Sequence, residues 1–155
     1  LPSVFSIGVI SDTHGLLRPE AVQALQGVDH IVHAGDIGTP DILVALAEIA
    51  SVTAVRGNHD KWAAELSDTE MLQLADIWIY VLHDIKELDL APTAAGINVV
   101  VSGHTHEPSI GTMDGVLYVN PGSAGPERAG CPVALARLYV EGSQVRAEIV
   151  PLAPL

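Results

Sequence analysis

Apolar residues along this chain fall in short, β-branched bursts cut by polar turns. The first burst, VFSIGVI over residues 4–10, has the continuous apolar character of a strand buried on both faces. It runs into the polar loop Ser11-Asp12-Thr13-His14-Gly15. Pro19 then opens a short helical pattern in which Ala21, Val22 and Leu25 share a face, ending near Gly27. Residues 31–34 form a second strand, closed by Gly35-Asp36. Thr39 and Pro40 cap and start a stronger helix through Ala50, with Ile42, Leu43, Leu46 and Ile49 along its stripe. A third strand over 52–55 leads at once into Gly57-Asn58-His59-Asp60. This order of strand, loop, helix and strand predicts a parallel α/β sheet with crossover helices.

The second half has a different rhythm. Residues 70–74 and 77–82 predict two strands joined tightly at Ala75-Asp76. A weak helix over 86–95 is disturbed by Pro92 and ends near Gly96, and residues 97–102 are another strand, closing on Gly103-His104-Thr105-His106. Short β patterns follow over 109–113, 116–119, 133–140 and 144–150, with Asp114-Gly115 and Glu141-Gly142 as hairpin turns. Two sheets within a single domain over 1–155 are expected, with helices outside them.

Composition narrows the function classes. Seven Lys plus Arg against 19 Asp plus Glu give a net charge of −12, which disfavours binding of long nucleic acid or of a membrane surface. A single cysteine, Cys131, forms no internal disulfide or thiolate metal site and suits a reducing, cytoplasmic setting. No stretch reaches the roughly 20 apolar residues of a spanning helix, and residues 1–10 lack the cationic start of a signal peptide. Nothing in the sequence excludes a homo-oligomer.

The chemistry collects at strand ends. Five of the seven histidines, His14, His59, His83, His104 and His106, sit in loops directly after expected strands, as do Asp12, Asp36 and Asn58. In an open α/β sheet such loops converge on one crevice. Successive intervals from Asp12 through Asp36, Asn58 and His83 to His104 are 24, 22, 25 and 21 residues, about one strand plus crossover each. Continued strand alternation would point Asp12 and His14 the same way, and likewise His104 and His106. Imidazoles, carboxylates and one amide suit Mn, Fe, Zn, Ni or Co rather than Ca. Seven donors are too many for one tetrahedral ion but fit two ions sharing a carboxylate. Such a pair, roughly 3.5–4 Å apart, clamps the attacking and leaving oxygens of a displacement at phosphorus.

Asp12-Thr13-His14, Gly35-Asp36, Gly57-Asn58-His59-Asp60, His83 and Gly103-His104-Thr105-His106, followed by Asn120-Pro121-Gly122-Ser123, resemble the motifs of calcineurin-like metallophosphoesterases. The small single-domain prokaryotic phosphodiesterases of the YfcE type are the most similar subgroup. The resemblance implies a four-layer α/β/β/α sandwich of two mixed sheets. It implies a first metal on Asp12, His14 and His106 with Asp36 bridging, and a second on Asp36, Asn58, His83 and His104. His59 would face the phosphoryl group beside a metal-bridging hydroxide, stabilising charge or protonating the leaving oxygen. Mn is the first expectation for the two ions, and the substrate a small phosphodiester. The same fold serves as a non-catalytic scaffold in the small retromer subunit, which lacks the His of the G-N-H motif; His59 is present here. Two departures stand out: Asp84 follows His83 where the family usually has Gly, and the segment between His83 and Gly103 is short, so one helix is reduced.

Other residues have plainer readings. Taken alone, Asp12, His14 and Asp36 are turn or surface residues, and Asn58 a residue that tolerates a left-handed turn; the full constellation favours ligation. His33 reads as structural, His30 as exposed, Cys131 as a turn or packing residue, and Trp62 and Trp78 as packing residues. Arg128, close after the Asn120–Ser123 turn, is a candidate for reaching a substrate phosphate, against a solvent-facing alternative.

Overall fold

Strand residues that alternate or run continuously apolar can be buried only by stacking one sheet on another, and the chain does this twice over. In the computed structural model, which describes residues 3–152, β1 (Phe5–Ile10), β2 (His30–His33) and β3 (Ser51–Ala54) pair in parallel. Leu1, Pro2 and the last three residues of the expected 1–155 domain lie outside the described residues. The crossovers carry α1 (Pro19–Ala24) and α2 (Pro40–Ala47), each with proline in its first turn, where a missing N–H costs nothing. The antiparallel hairpin of β9 (Ala134–Glu141) and β10 (Gln144–Pro151) completes the sheet in the order β10-β9-β1-β2-β3.

The second sheet is built from β4 (Thr69–Leu74), β5 (Ile77–Leu82), β6 (Val99–Val101), β7 (Ser109–Met113) and β8 (Val116–Asn120), in the order β4-β5-β6-β8-β7. Its three central strands are parallel and both edges antiparallel. Asp114 and Gly115, both at positive φ (53° and 78°), make the expected tight turn between β7 and β8. Between the sheets lie Ile7, Val9, Val32, Ile79, Val81, Val99, Val101, Val119 and Leu138, all buried. Each such side chain contributes about 1.5–3 kcal/mol relative to exposure. The other face of the first sheet buries Ile10, Ile31 and Leu135 against Ala21 and Leu25 of α1 and Ile42 and Leu46 of α2.

The layers match the expected sandwich, but the outer layer over the second sheet is thin. No helix forms over 86–95: a single 3-10 turn, Ile85–Glu87, is followed by extended Leu88 and an isolated turn around Pro92. Proline removes a donor and disfavours helical geometry in the residue before it. Leu88 and Leu90 instead lie against Tyr80, Leu82, Ile97 and Val100, so this segment covers the sheet as loop. Two smaller expectations also shift. Thr39 occupies the N-cap of α2 with extended backbone but makes no capping bond with its side chain. His30 is half-buried rather than exposed, its Nε2 2.8 Å from Thr53 Oγ1. Among the described residues no helix is long and apolar enough to cross a membrane.

Candidate metal centre

The loops after β1, β2, β3, β5 and β6 meet at one end of the two sheets, but strand alternation does not aim their side chains. β1 stops at Ile10, and Asp12 (φ 56°), His14 (46°), Asp36 (56°), His104 (71°) and His106 (66°) all adopt left-handed backbone. Such conformations cost a non-glycine residue of order 1–3 kcal/mol and persist only where surroundings impose them. Here the surroundings are explicit. The backbone N–H groups of Asp12, His14 and Gly15 donate to the carbonyls of Gly35, Asp36 and Ile37 at 3.0, 2.9 and 2.8 Å, so the first two loops pair with one another. Asn58, by contrast, is not left-handed; it sits in the turn closed by the Asp60 N–H on the Gly57 carbonyl at 3.1 Å. The motif glycines make this closeness feasible. A Cβ on Gly57 would overlap the backbone nitrogen and Oδ1 of Asp36, and one on Gly103 would strike Ser11 Oγ.

Six of the expected donors form two groups. Asp12, His14 and His106 offer atoms lying within 4.8 Å of one another, as do Asp36, His83 and His104. Asp36 Oδ2 is 3.2 Å from His83 Nε2 and 3.7 Å from His14 Nε2, so one carboxylate oxygen faces both groups. Asp12 Oδ1 lies 3.3 Å from His106 Nε2 and 3.8 Å from His14 Nε2. That oxygen is buried without a hydrogen-bond partner, while Oδ2 of the same carboxylate accepts from Ser11 Oγ at 2.6 Å and the His104 N–H at 3.1 Å. A bare, buried carboxylate oxygen facing two imidazoles is costly unless a cation shares the space. The donor set, oxygen and imidazole nitrogen, fits a borderline divalent metal.

Surrounding hydrogen bonds set the orientation of these donors. His83 Nδ1 is 2.8 Å from the Ala34 carbonyl, to which it donates, leaving Nε2 to face Asp36 and His104. Burial opposes a charged His83, but its bonds to Asp36 and Ala34 outweigh this and raise its pKa. Burial likewise opposes ionised Asp36, yet bonds from His83 and from the His59 N–H, at 3.0 Å to Oδ1, bring its pKa down to about 2. Desolvation lowers the pKa of His106, opposed by Asp12 and assisted by the charge of Arg128. Arg128 itself is exposed, in a turn bridged to Cys131, and acts on His106 at the level of its field.

Two further residues brace the centre, and the sequence reading gave Asp60 no such role. Asp60, fully buried, accepts from the backbone N–H groups of Ile37 (3.0 and 3.1 Å), Gly38 (3.1 Å) and Gly57 (2.9 Å), clamping the second loop to the third. His33 is structural, as expected. Its Nδ1 accepts from the Gly35 N–H at 3.1 Å, so Nε2 carries the proton toward Thr13 Oγ1 at 3.0 Å. Desolvation drops its pKa to about 3, and it stays neutral. Asn120 and Ser123 reach in from the other side: Asn120 Nδ2 donates to the Gly103 carbonyl at 3.0 Å, and Ser123 Oγ to the Asp12 carbonyl at 3.1 Å. Only their place in a motif signalled either one.

The remaining candidates frame an approach route. His59 is exposed, its ring centroid 5.7 Å from that of His14. Asn58 lines a cleft of about 620 Å³ together with His83, Asp84, His104, Tyr80 and Glu87. The centre therefore opens to solvent, with two unengaged polar side chains at its mouth. Trp62 and Trp78 are partly exposed surface residues, 41% and 39% accessible, and neither lines this cleft.

Comparison with known proteins shows the fold and the family. A probable metallophosphoesterase of Methanocaldococcus jannaschii is 38% identical over 160 residues, covering 94% of this chain and 81% of that protein. One of Methanothermobacter thermautotrophicus is 35% identical, covering 93% of this chain and 91% of that protein. Among solved structures, Vps29 of Chaetomium thermophilum superposes with a TM-score of 0.79 at 18% identity, over 95% of this chain and 96% of that one. A novel archaeal phosphodiesterase gives 0.76 at 25% identity, over 94% of this chain and all of that one (100%). Residues 5–143 match the calcineurin-like phosphoesterase superfamily domain, a span that holds every donor-bearing loop, and the chain belongs to that superfamily.

Proposed function

We propose that the chain is a dinuclear metal-dependent phosphodiesterase acting on small phosphate esters. The observation that carries the reading is the pair of buried carboxylates: Asp12 Oδ1 bare within one donor group, and Asp36 Oδ2 facing both. In this reading Asp12, His14 and His106 hold a first ion, His83, His104 and Asn58 a second, and Asp36 is shared. When bound, such a pair of cations neutralises the phosphoryl oxygens and supplies an acidified water as nucleophile. Mn is the first candidate, with Ni, Fe, Zn or Co as alternatives.

The chain's own groups supply the rest. His59, exposed beside His14 and tethered through its backbone N–H to Asp36, can hold a proton at the leaving-group side of a bound ester. Asn58, at the rim of the cleft, adds an amide oxygen to the second group and orients the phosphoryl face. Arg128 adds positive charge near His106 that favours an anion there. The net charge of −12 repels polyanions at long range, which supports a small diester over long nucleic acid. A phosphodiesterase of M. jannaschii, 26% identical over 147 residues, supports the same class of reaction.

Hydrolysis of bis-p-nitrophenyl phosphate tests the proposal. Chelation abolishes turnover and Mn restores it, Asp36→Asn loses metal and activity together, and His59→Ala keeps its metal but loses about 10²–10⁴-fold in rate. Undiminished turnover by His59→Ala, or by the metal-free chain, refutes the assigned roles. The competing scaffold reading draws on the Vps29 neighbours, whose similarity is one of fold. One of them, from Entamoeba histolytica, was solved with Zn²⁺, so metal content alone does not separate the readings and the diester assay does.

A further inference from the structure

We propose that Asp84 is a positioning residue that keeps His104 turned with its Nδ1 toward the second donor group. The inference rests on the dinuclear reading above. His104 is the most exposed imidazole of the two groups, its side chain 42% accessible, and stands on left-handed backbone at φ 71°. Burial therefore does little to fix its ring. Of the two ring nitrogens, Nδ1 lies 3.3 Å from His83 Nε2, inside the group formed with Asp36. Nε2 points the other way, and Asp84 Oδ2 lies 3.8 Å from it.

An imidazole placed this way can offer a lone pair to a cation at Nδ1 only when its proton sits on Nε2. A carboxylate on the Nε2 side favours that tautomer, because the N–H dipole then points its positive end at the negative oxygen. His83 meets the same requirement by donating from Nδ1 to the Ala34 carbonyl. For His104 the carboxylate takes that place. At 3.8 Å the contact is electrostatic or bridged by one water, longer than a direct hydrogen bond. Asp84 is itself held: its Oδ1 accepts the Lys86 N–H at 3.1 Å, capping the 3-10 turn, which leaves Oδ2 for His104. Glu87 and Asp89 line the same cleft, but among the carboxylates of the described residues only that of Asp84 comes within 4.0 Å of a His104 nitrogen. The contact is thus specific rather than a general acidity of the cleft. Asp84 stands where the resemblance leads one to expect glycine, so the arrangement belongs to this chain.

Asp84→Asn and Asp84→Ser test the inference, since both keep an oxygen able to cap the turn and both remove the charge. Nitrogen-15 spectra of the metal-free protein read the tautomer directly: His83 Nε2, 3.3 Å from His104 Nδ1, competes for a proton on Nδ1, and wild-type His104 holds a larger Nε2–H fraction against it than either variant, both of which shift toward the Nδ1–H form. Calorimetric titration with Mn reads the consequence, a second-ion affinity about 10–100-fold weaker in the variants with the first unchanged. Unaltered tautomer and unaltered affinities in both variants overturn the role of Asp84 and leave two-ion binding standing. A wild-type chain that takes up fewer than two Mn overturns the dinuclear reading, and the role of Asp84 with it.

Discussion

Asp60 is assigned no metal, yet its replacement by asparagine should be among the more damaging single-atom changes available to this protein. The carboxylate has no solvent exposure and accepts from three backbone donors, with Ile37 and Gly38 on Oδ1, Gly57 on Oδ2, and Ile37 shared between them. An amide keeps one oxygen. Seated to serve Ile37 and Gly38, it presents its NH₂ to the Gly57 N–H, two donors face to face. Leaving that buried N–H unpaired costs about 1–3 kcal/mol, and turning the remaining bonds from charged to neutral costs roughly another 1 kcal/mol. The expected loss is about 3 kcal/mol, which for a chain of 155 residues lowers the melting midpoint by roughly 6–12 °C. Urea denaturation of wild type and Asp60→Asn, both metal-free, measures it. A midpoint difference worth less than about 1 kcal/mol would refute the clamp. Flipping the amide does not rescue the variant, because Gly38 would then lose its partner instead.

Three further outcomes follow from the geometry. Gly57→Ala places a methyl against Asp36 N and Oδ1, so it should reduce Mn stoichiometry below two per chain; full occupancy by elemental analysis would contradict this. His33, neutral when folded with a pKa near 3 against 6.5 unfolded, contributes stability that is complete above pH 6.5 and lost as pH falls toward 3. The slope is at most about 1.4 kcal/mol per pH unit, and metal-free His33→Gln should show a flatter acid limb in denaturation measured across that window. Asp36→Asn removes the carboxylate that raises the His83 pKa, so that pKa should fall in the metal-free variant, as proton NMR titration can read.

Much of this was legible from the residues. The strands announced themselves because both sheets bury their central strands on two faces, leaving runs such as IGVI and INVVV with few polar interruptions. The donors were legible because each follows a strand at an interval of about one crossover. Their orientation was not. Alternation was extrapolated past Ile10 into a loop whose conformation is dictated by hydrogen bonds to residues more than 20 positions away, such as Asp12 N–H to Gly35. Asp60 escaped for the same reason, since its partners at Ile37 and Gly38 lie on another loop. The expected helix over 86–95 failed because the tertiary need to cover Tyr80 and Leu82 is met by Leu88, in extended backbone, and by Leu90, and because Pro92 disfavours helical geometry in the residue before it.

Five non-glycine residues at positive φ, all within the two donor groups, have an evolutionary corollary. Each is a position where glycine would relax the main chain, so the most direct route to a hardier protein runs through the very side chains that make up the two donor groups. A lineage released from hydrolysis should therefore erode here first, gaining thermal robustness with each donor it discards. For the proposed hydrolysis, selection has to resist that drift at every one of the five.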